Sequence, residues 1–236
     1  MKGPWEDPRV AEGLSRQFDT RRKALADGAA HIGWKVGFGA PAAREKMDIG
    51  APLMGYLTDR TVLASGGSVA TEEWSGGVVE FEVVAYMATD LGAGATHEQA
   101  RAAVGALGPS IELADIDLPL EADRVADIVG GNIFHAGVVF GDRDTERAGI
   151  DLSGLTARIL VDGLEVALVT ELEELTGPYP EVVATVANTL AANGELLRAG
   201  DLIITGSVVP PIRLDSGSEF SFHLASFDPI TVRIEA

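Results

Sequence analysis

Two glutamates, Glu80 and Glu82, stand two positions apart in the run Gly77-Val78-Val79-Glu80-Phe81-Glu82-Val83-Val84-Ala85-Tyr86-Met87. β-Branched and aromatic residues dominate this run, so it reads as a strand. Residues i and i+2 of a strand share a face, which sets the two carboxylates side by side. Neighbouring carboxylates repel unless positive charge lies between them. A divalent cation, which prefers hard oxygen ligands, would supply it; the alternative is a half-buried strand whose acids face water. A second apolar segment, Pro109–Ala114, carries another acid, Glu112. Brought beside the first pair, it would complete a site for a hard cation.

Other residues have two readings each. Lys35 is the only cation in the strand-like segment His31–Phe38, and either snorkels to water or works in a site. Asp59 follows a short strand and either makes an Asx-type turn or points into a pocket. Asp127 lies in the loop-like stretch Val125–Asn132 and either binds a ligand or fixes the loop; Gly130-Gly131 there permit close approach or positive φ. His135, inside the apolar strand Ile133–Phe140, is a core histidine on a backbone carbonyl or a base. Thr205-Gly206-Ser207 ends the strand Leu202–Ile204. Its hydroxyls and N–H groups can hold a carboxylate or form a plain turn. His97 is a first-turn surface residue with no assigned chemistry.

The elements that must position these groups are legible in outline. Val10, Leu14, Phe18 and Leu25 recur at helical spacing from Pro8, with a stop at Gly28. This helix is expected to pack on the main body rather than to form an oligomer contact. A short helix spans Pro41–Met47, with proline near its start. Short strands are expected around Val62 and Val69, ending at the Gly76-Gly77 break. Thr96 and Gln99 form a capping-box pattern for a helix running through Ala106 to a break at Gly108-Pro109. Asp162-Gly163 joins two apolar runs as a hairpin turn, and Pro180–Ala192 is helical with a terminator at Asn193-Gly194. Two strands, Phe220–Leu224 and Ile230–Ile234, close the chain.

The 236 residues suit one domain or one large domain with a small appendage. Hydrophobic residues make up 46% of the chain, enough for a sizeable core. A formal net charge of -18 excludes a nucleic-acid binder, because phosphate contacts need clustered Lys and Arg. Without cysteine there is no disulfide, thiol nucleophile or Cys-ligated metal. Neither a signal peptide nor a membrane span is expected, so a cytoplasmic protein without membrane partners is.

Taken in order, Gly33-Trp34-Lys35-Val36-Gly37, Glu80-Phe81-Glu82, Ile111-Glu112-Leu113, Val125-Ala126-Asp127 and Ala199-Gly200-Asp201 through Thr205-Gly206-Ser207 form a familiar series. The chain from about residue 31 onward resembles the 2-keto-4-pentenoate hydratase and 4-oxalocrotonate decarboxylase branch of the fumarylacetoacetate hydrolase superfamily. The resemblance implies an α+β, mainly β fold: a mixed β-roll or distorted barrel with flanking helices. It divides the chain into an N-terminal helical segment, 1–30, and a catalytic domain, 31–236. It also implies a homo-oligomer.

By the same resemblance Glu80, Glu82 and Glu112 bind Mg²⁺ or Mn²⁺, and Lys35 and Asp59 are catalytic. Asp127, Thr205, Gly206 and Ser207 bind substrate. The implied activity is that of a metal-dependent hydratase acting on a 2-hydroxydienoic or 2-oxo acid from aromatic-ring cleavage. A decarboxylase, an acylpyruvate hydrolase and a non-catalytic oxo-acid binder are the alternatives. His31 is the one nearby candidate for the histidine of a hydrolase. The chain departs from the pattern at Gly76-Gly77-Val78-Val79, where relatives have Pro-Arg, at Ile128 and at Thr170–Glu174.

Overall fold

The computed structural model describes residues 3–236. In chain order its elements are α1 (Pro8–Ala26), β1 (His31–Gly37), α2 (Pro41–Met47), β2 (Leu53–Thr58), β3 (Val62–Leu63) and β4 (Gly67–Val69). Then come β5 (Gly77–Met87), α3 (His97–Ala103), β6 (Val104–Asp115), α4 (Val125–Gly130) and β7 (His135–Phe140). The C-terminal part holds β8 (Ala157–Val161), β9 (Leu164–Val169), α5 (Tyr179–Ala192), β10 (Leu202–Ser207), β11 (Ile212–Arg213), β12 (Glu219–Leu224) and β13 (Ile230–Ile234).

The larger, mixed sheet runs β2-β1-β10-β5-β6-β7-β3, with β11 beside β5, and curls into a half-barrel. A second sheet runs β4-β13-β12-β8-β9. This is the expected mainly-β fold with flanking helices. β5 is central because its neighbours β10 and β6 pair along both edges. Its near-continuous burial accounts for the apolar run, since a strand covered on both faces has little need of alternation. Phe81 packs on Phe222 of the second sheet, ring centroids 5.5 Å apart. Val10, Leu14 and Phe18 of α1 join the same core as Trp34 of β1.

The Thr96 capping box forms as expected, and so does the hairpin turn, with Asp162 and Gly163 at φ 52° and 78°. Four expectations are corrected. The helix after Thr96 ends at Ala103, and Gly108-Pro109 lies within β6 rather than breaking a helix. Pro109 is tolerated because β7 begins pairing only at Ser110. The stretch from Val125 is a helix, α4, not a loop. Its glycine pair does not supply positive φ; Asn132, Ile133 and Phe134 do, at 62°, 52° and 62°. Thr205-Gly206-Ser207 continues β10 instead of forming a turn beyond it.

Candidate active site

β5 and β6 are in register, with Glu80 directly opposite Glu112 and Glu82 opposite Ser110. The i, i+2 spacing and this register bring the three carboxylates together, each offering an oxygen within 4.8 Å of the others. Glu82 and Glu112 are buried, and Glu80 is half-buried at the edge of a cavity.

Each buried acid has one oxygen held and one bare. Glu112 Oε1 accepts from Lys35 Nζ at 2.9 Å and His135 Nδ1 at 2.7 Å, whereas its Oε2 is buried without a partner. Glu82 Oε2 accepts from the Gly206 N–H at 2.5 Å, and its Oε1 is likewise bare. Buried polar atoms ordinarily find partners. Two orphaned carboxylate oxygens beside a third acid fit a hard divalent cation, whose ligands are oxygens.

Lys35 is 1% exposed, and its second hydrogen bond goes to the Ile133 carbonyl at 3.1 Å. Burial alone would lower its pKa, but Glu112, Glu80 and Glu82 outweigh burial and hold it above the ordinary lysine value. Burial pushes Glu112 up, yet Lys35 and His135 together hold it below the usual carboxylate range. Burial, then the charge of Glu112, pushes Glu80 up to about 7 against the pull of Lys35. Glu82 is raised for the same reasons, with Glu80 adding to the repulsion.

Two glycines make room for this arrangement. Gly55 sits opposite Lys35 on β2, where a Cβ would come within 2.8 Å of both Lys35 Cγ and Asn132 Oδ1. Gly206 has φ 99°, and a Cβ there would meet Thr176 Cγ2 at 2.8 Å. The left-handed turn Asn132–Phe134 aims the Ile133 carbonyl at Lys35. Asn132 clamps the turn to β2 by accepting from the Tyr56 N–H at 2.8 Å and donating to the Tyr56 carbonyl at 3.0 Å.

Lys35, Glu80, Gly206 and Ser207 border a cavity of about 440 Å³, within the range of small-molecule sites. Thr205 does not line it. Its hydroxyl donates to the Val83 carbonyl at 2.9 Å, and Ser207 Oγ accepts from the Phe81 N–H at 3.1 Å. These bonds stitch β10 to β5 where the ladder is irregular.

Asp59 and Asp127 are not brought to this cavity. Asp59 is exposed and accepts from the Ala30 N–H at 2.8 Å. It opens the turn that follows β2, four residues beyond Gly55, Lys35's partner. Asp127 faces outward from α4 and pairs with Arg16 at 3.2 Å and Arg124 at 3.4 Å. His31 also stays outside, between Arg21 at 3.4 Å and Asp201 at 3.5 Å.

His135 is the residue whose role the sequence reading missed: its partner is the Glu112 carboxylate, not a backbone carbonyl. Its Nε2 lies 2.9 Å from Thr61 Oγ1. Bonds to both ring nitrogens fix the imidazole against Glu112, as outer partners orient ligand side chains in metal sites. A bulge between Leu113 and Ala114 sets His135 opposite Ala114, and no spacing in the sequence announces it. Asn132 was more accessible, since asparagine is enriched in left-handed backbone.

A mixed β half-barrel with a carboxylate triad and a buried lysine beside a largely apolar cavity defines a class of small-molecule enzyme sites. Residues 29–235 match the family model described as fumarylacetoacetate (FAA) hydrolase C-terminal, and the chain belongs to that family. It is 28% identical over 214 residues to 2-hydroxyhexa-2,4-dienoate hydratase of Comamonas testosteroni, covering 88% of this chain and 80% of the relative. It is 29% identical over 190 residues to a 4-oxalocrotonate decarboxylase of Pseudomonas sp, covering 80% and 73%. Among solved structures, the 4-oxalocrotonate decarboxylase of Pseudomonas putida G7 complexed with magnesium and adipate superposes with a TM-score of 0.85. The identity is 22%, over 95% of this chain and 86% of the other.

Proposed function

We propose that this chain is a divalent-metal-dependent lyase acting on 2-hydroxydienoic or 2-oxo acids from aromatic-ring cleavage, with hydration as its reaction. The single observation that carries the reading is the pair of bare, buried oxygens on Glu82 and Glu112 beside Glu80. Glu80, Glu82 and Glu112 hold Mg²⁺ or Mn²⁺; the bound cation supplies Lewis acidity toward the oxygens of a 2-oxo acid.

In the hydratase reading, the dienol loses its enol proton and gains one at the far end of the diene, giving a conjugated 2-oxo acid. Water then adds across the remaining double bond, hydroxyl to the carbon β to the ketone and proton to the α carbon. Lysine has three N–H donors. Lys35 spends two on Glu112 and Ile133, and its side chain also lines the cavity. Because its neighbours raise its pKa, it stays an ammonium at neutral pH. Its place beside the acids and on the cavity wall suits it to hold negative charge developing on a substrate oxygen. Ser207, Thr176 and the half-buried Glu80 are the other polar side chains on the cavity wall. The exposed apolar stripe Leu164, Val166 and Leu168 on the edge strand β9 supports a homo-oligomer.

The test is calorimetric titration of metal-stripped protein with Mg²⁺ or Mn²⁺, with and without oxalate, followed by turnover assays on 2-hydroxydienoates. Metal-dependent oxalate binding and hydration are expected, and both should be lost in Glu82→Gln. Near-normal turnover by that variant, or no metal binding by the unaltered chain, sinks the assignment. Acetate and pyruvate formed from acetylpyruvate would instead establish the hydrolase. The position of His31, held by Arg21 and Asp201 outside the cavity, argues against it.

A further inference from the structure

We infer that the distal end of the substrate is an uncharged apolar chain or ring rather than a second carboxylate, and that it is longer than a methyl group. This rests on the oxo-acid reading of the site and narrows it. Lys35 is the only cationic side chain among the described residues that line the cavity, and it is already engaged with Glu112. The remaining polar side chains on the wall are Glu80, Thr176 and Ser207. Phe38, Leu120, Ile133, Phe134, Leu175 and Val209 dominate the rest. Arg44 on α2 and Arg213 on β11 belong to neighbouring elements, but neither lines the cavity.

A substrate's own 2-oxo acid group takes up the polar end, where Lys35 and the acids sit. A carboxylate at the other end would lie against apolar walls with no lining cation to meet it, which is unfavourable compared with an apolar group there. Size argues the same way. The cavity's 440 Å³ corresponds to roughly fifteen water molecules, whereas the parent five-carbon dienoate has eight heavy atoms. The surplus is walled by side chains that gain from burying hydrocarbon.

The test uses the metal-loaded full-length chain and saturated 2-oxo acids, which report binding without turnover. Calorimetric affinities are compared for pyruvate, 2-oxohexanoate, 2-oxooctanoate and 2-oxoadipate. Affinity should rise by up to about fourfold for each added methylene that is buried. The 2-oxoadipate should bind at least about tenfold more weakly than the chain-matched 2-oxohexanoate. The variant Ala43→Lys, which sets an ammonium on the α2 side of the cavity wall, should narrow or reverse that ratio. A flat series, or 2-oxoadipate binding as tightly as 2-oxohexanoate to the unaltered chain, overturns the inference while leaving the oxo-acid site standing. Binding of none of the four overturns the oxo-acid reading itself, and this inference with it.

Discussion

Replacing Lys35 by methionine should cost the metal-stripped protein about 3–5 kcal/mol of stability, the usual penalty for breaking a buried pair from one side. The ammonium lies 2.9 Å from Glu112 Oε1. At an effective dielectric of about 20, that separation gives an attraction of about 6 kcal/mol. Desolvation of the pair already offsets part of it in the native protein. Methionine fills most of the stem's volume, so packing changes little, but Glu112 is left buried with His135 as its remaining donor. The Ile133 carbonyl also loses its partner. For a chain of this length each kcal/mol moves Tm by about 2–4 °C, so a fall of about 6–20 °C is expected by circular dichroism in chelator. Saturating Mg²⁺ should recover a larger part of the loss in Lys35→Met than it adds to the unaltered protein, because the cation replaces the missing positive charge. A fall within about 2 °C, or an equal metal-induced rise in both proteins, would refute the reasoning. Lys35 would then not be the charge that holds the three acids together.

Four further outcomes follow from the same geometry. In metal-stripped protein the raised Glu80 pKa, about 7 against an ordinary 4.5, means the folded state binds more protons than the unfolded one between those values. Its contribution to stability is then complete below about pH 4.5 and lost as pH rises through 7. Urea unfolding at pH 5.5 and 7.5 should show that fall, and Glu80→Gln should reduce it, the raised Glu82 keeping the remainder; an unchanged slope in the variant contradicts the assignment. Gly206→Ala forces a Cβ against Thr176 at φ 99° and should destabilise the chain by about 1–3 kcal/mol, with weaker Mg²⁺ binding by calorimetry. His135→Ala removes a donor from Glu112 and should weaken Mg²⁺ binding about 10–100-fold; an unchanged Kd would make the imidazole merely structural. Asp59→Ala, altering an exposed residue bonded to Ala30, should leave kcat/KM within about threefold. A larger loss, with folding intact, would place Asp59 in the chemistry.

The geometry of the candidate site was legible because it depends on short-range periodicity. Glu80 and Glu82 share a face through the strand repeat alone, and the apolar context of Glu112 marks a second buried strand. Once those strands pair, their register decides the rest. The fold was recognisable from the order of such motifs, and local chemistry such as the Thr96 cap and the Asp162-Gly163 turn set individual boundaries. What escaped depends on contacts between distant segments. Asp127 looks alike in sequence whether it enters a cavity or meets Arg16 across 111 positions. His135 reaches Glu112 only because a bulge shifts β7 by a residue. Pro109 reads as a breaker until β7 is seen to begin at its neighbour.

The turn Asn132–Phe134 bears on how the molecule opens. Left-handed backbone costs about 1–2 kcal/mol per non-glycine residue, and three consecutive residues adopt it here. Asparagine tolerates that region, so Ile133 and Phe134 carry the strain, about 2–4 kcal/mol against the 5–15 kcal/mol that holds a whole domain together. Local opening would relieve that strain without unfolding the sheet, so the amides of residues 132–135 are expected to exchange with solvent sooner than those of β5. Ile133 and Phe134 also wall the cavity. Its most readily opened side is thus the one a ligand packs against, and occupancy should be recorded there first, as slowed hydrogen exchange.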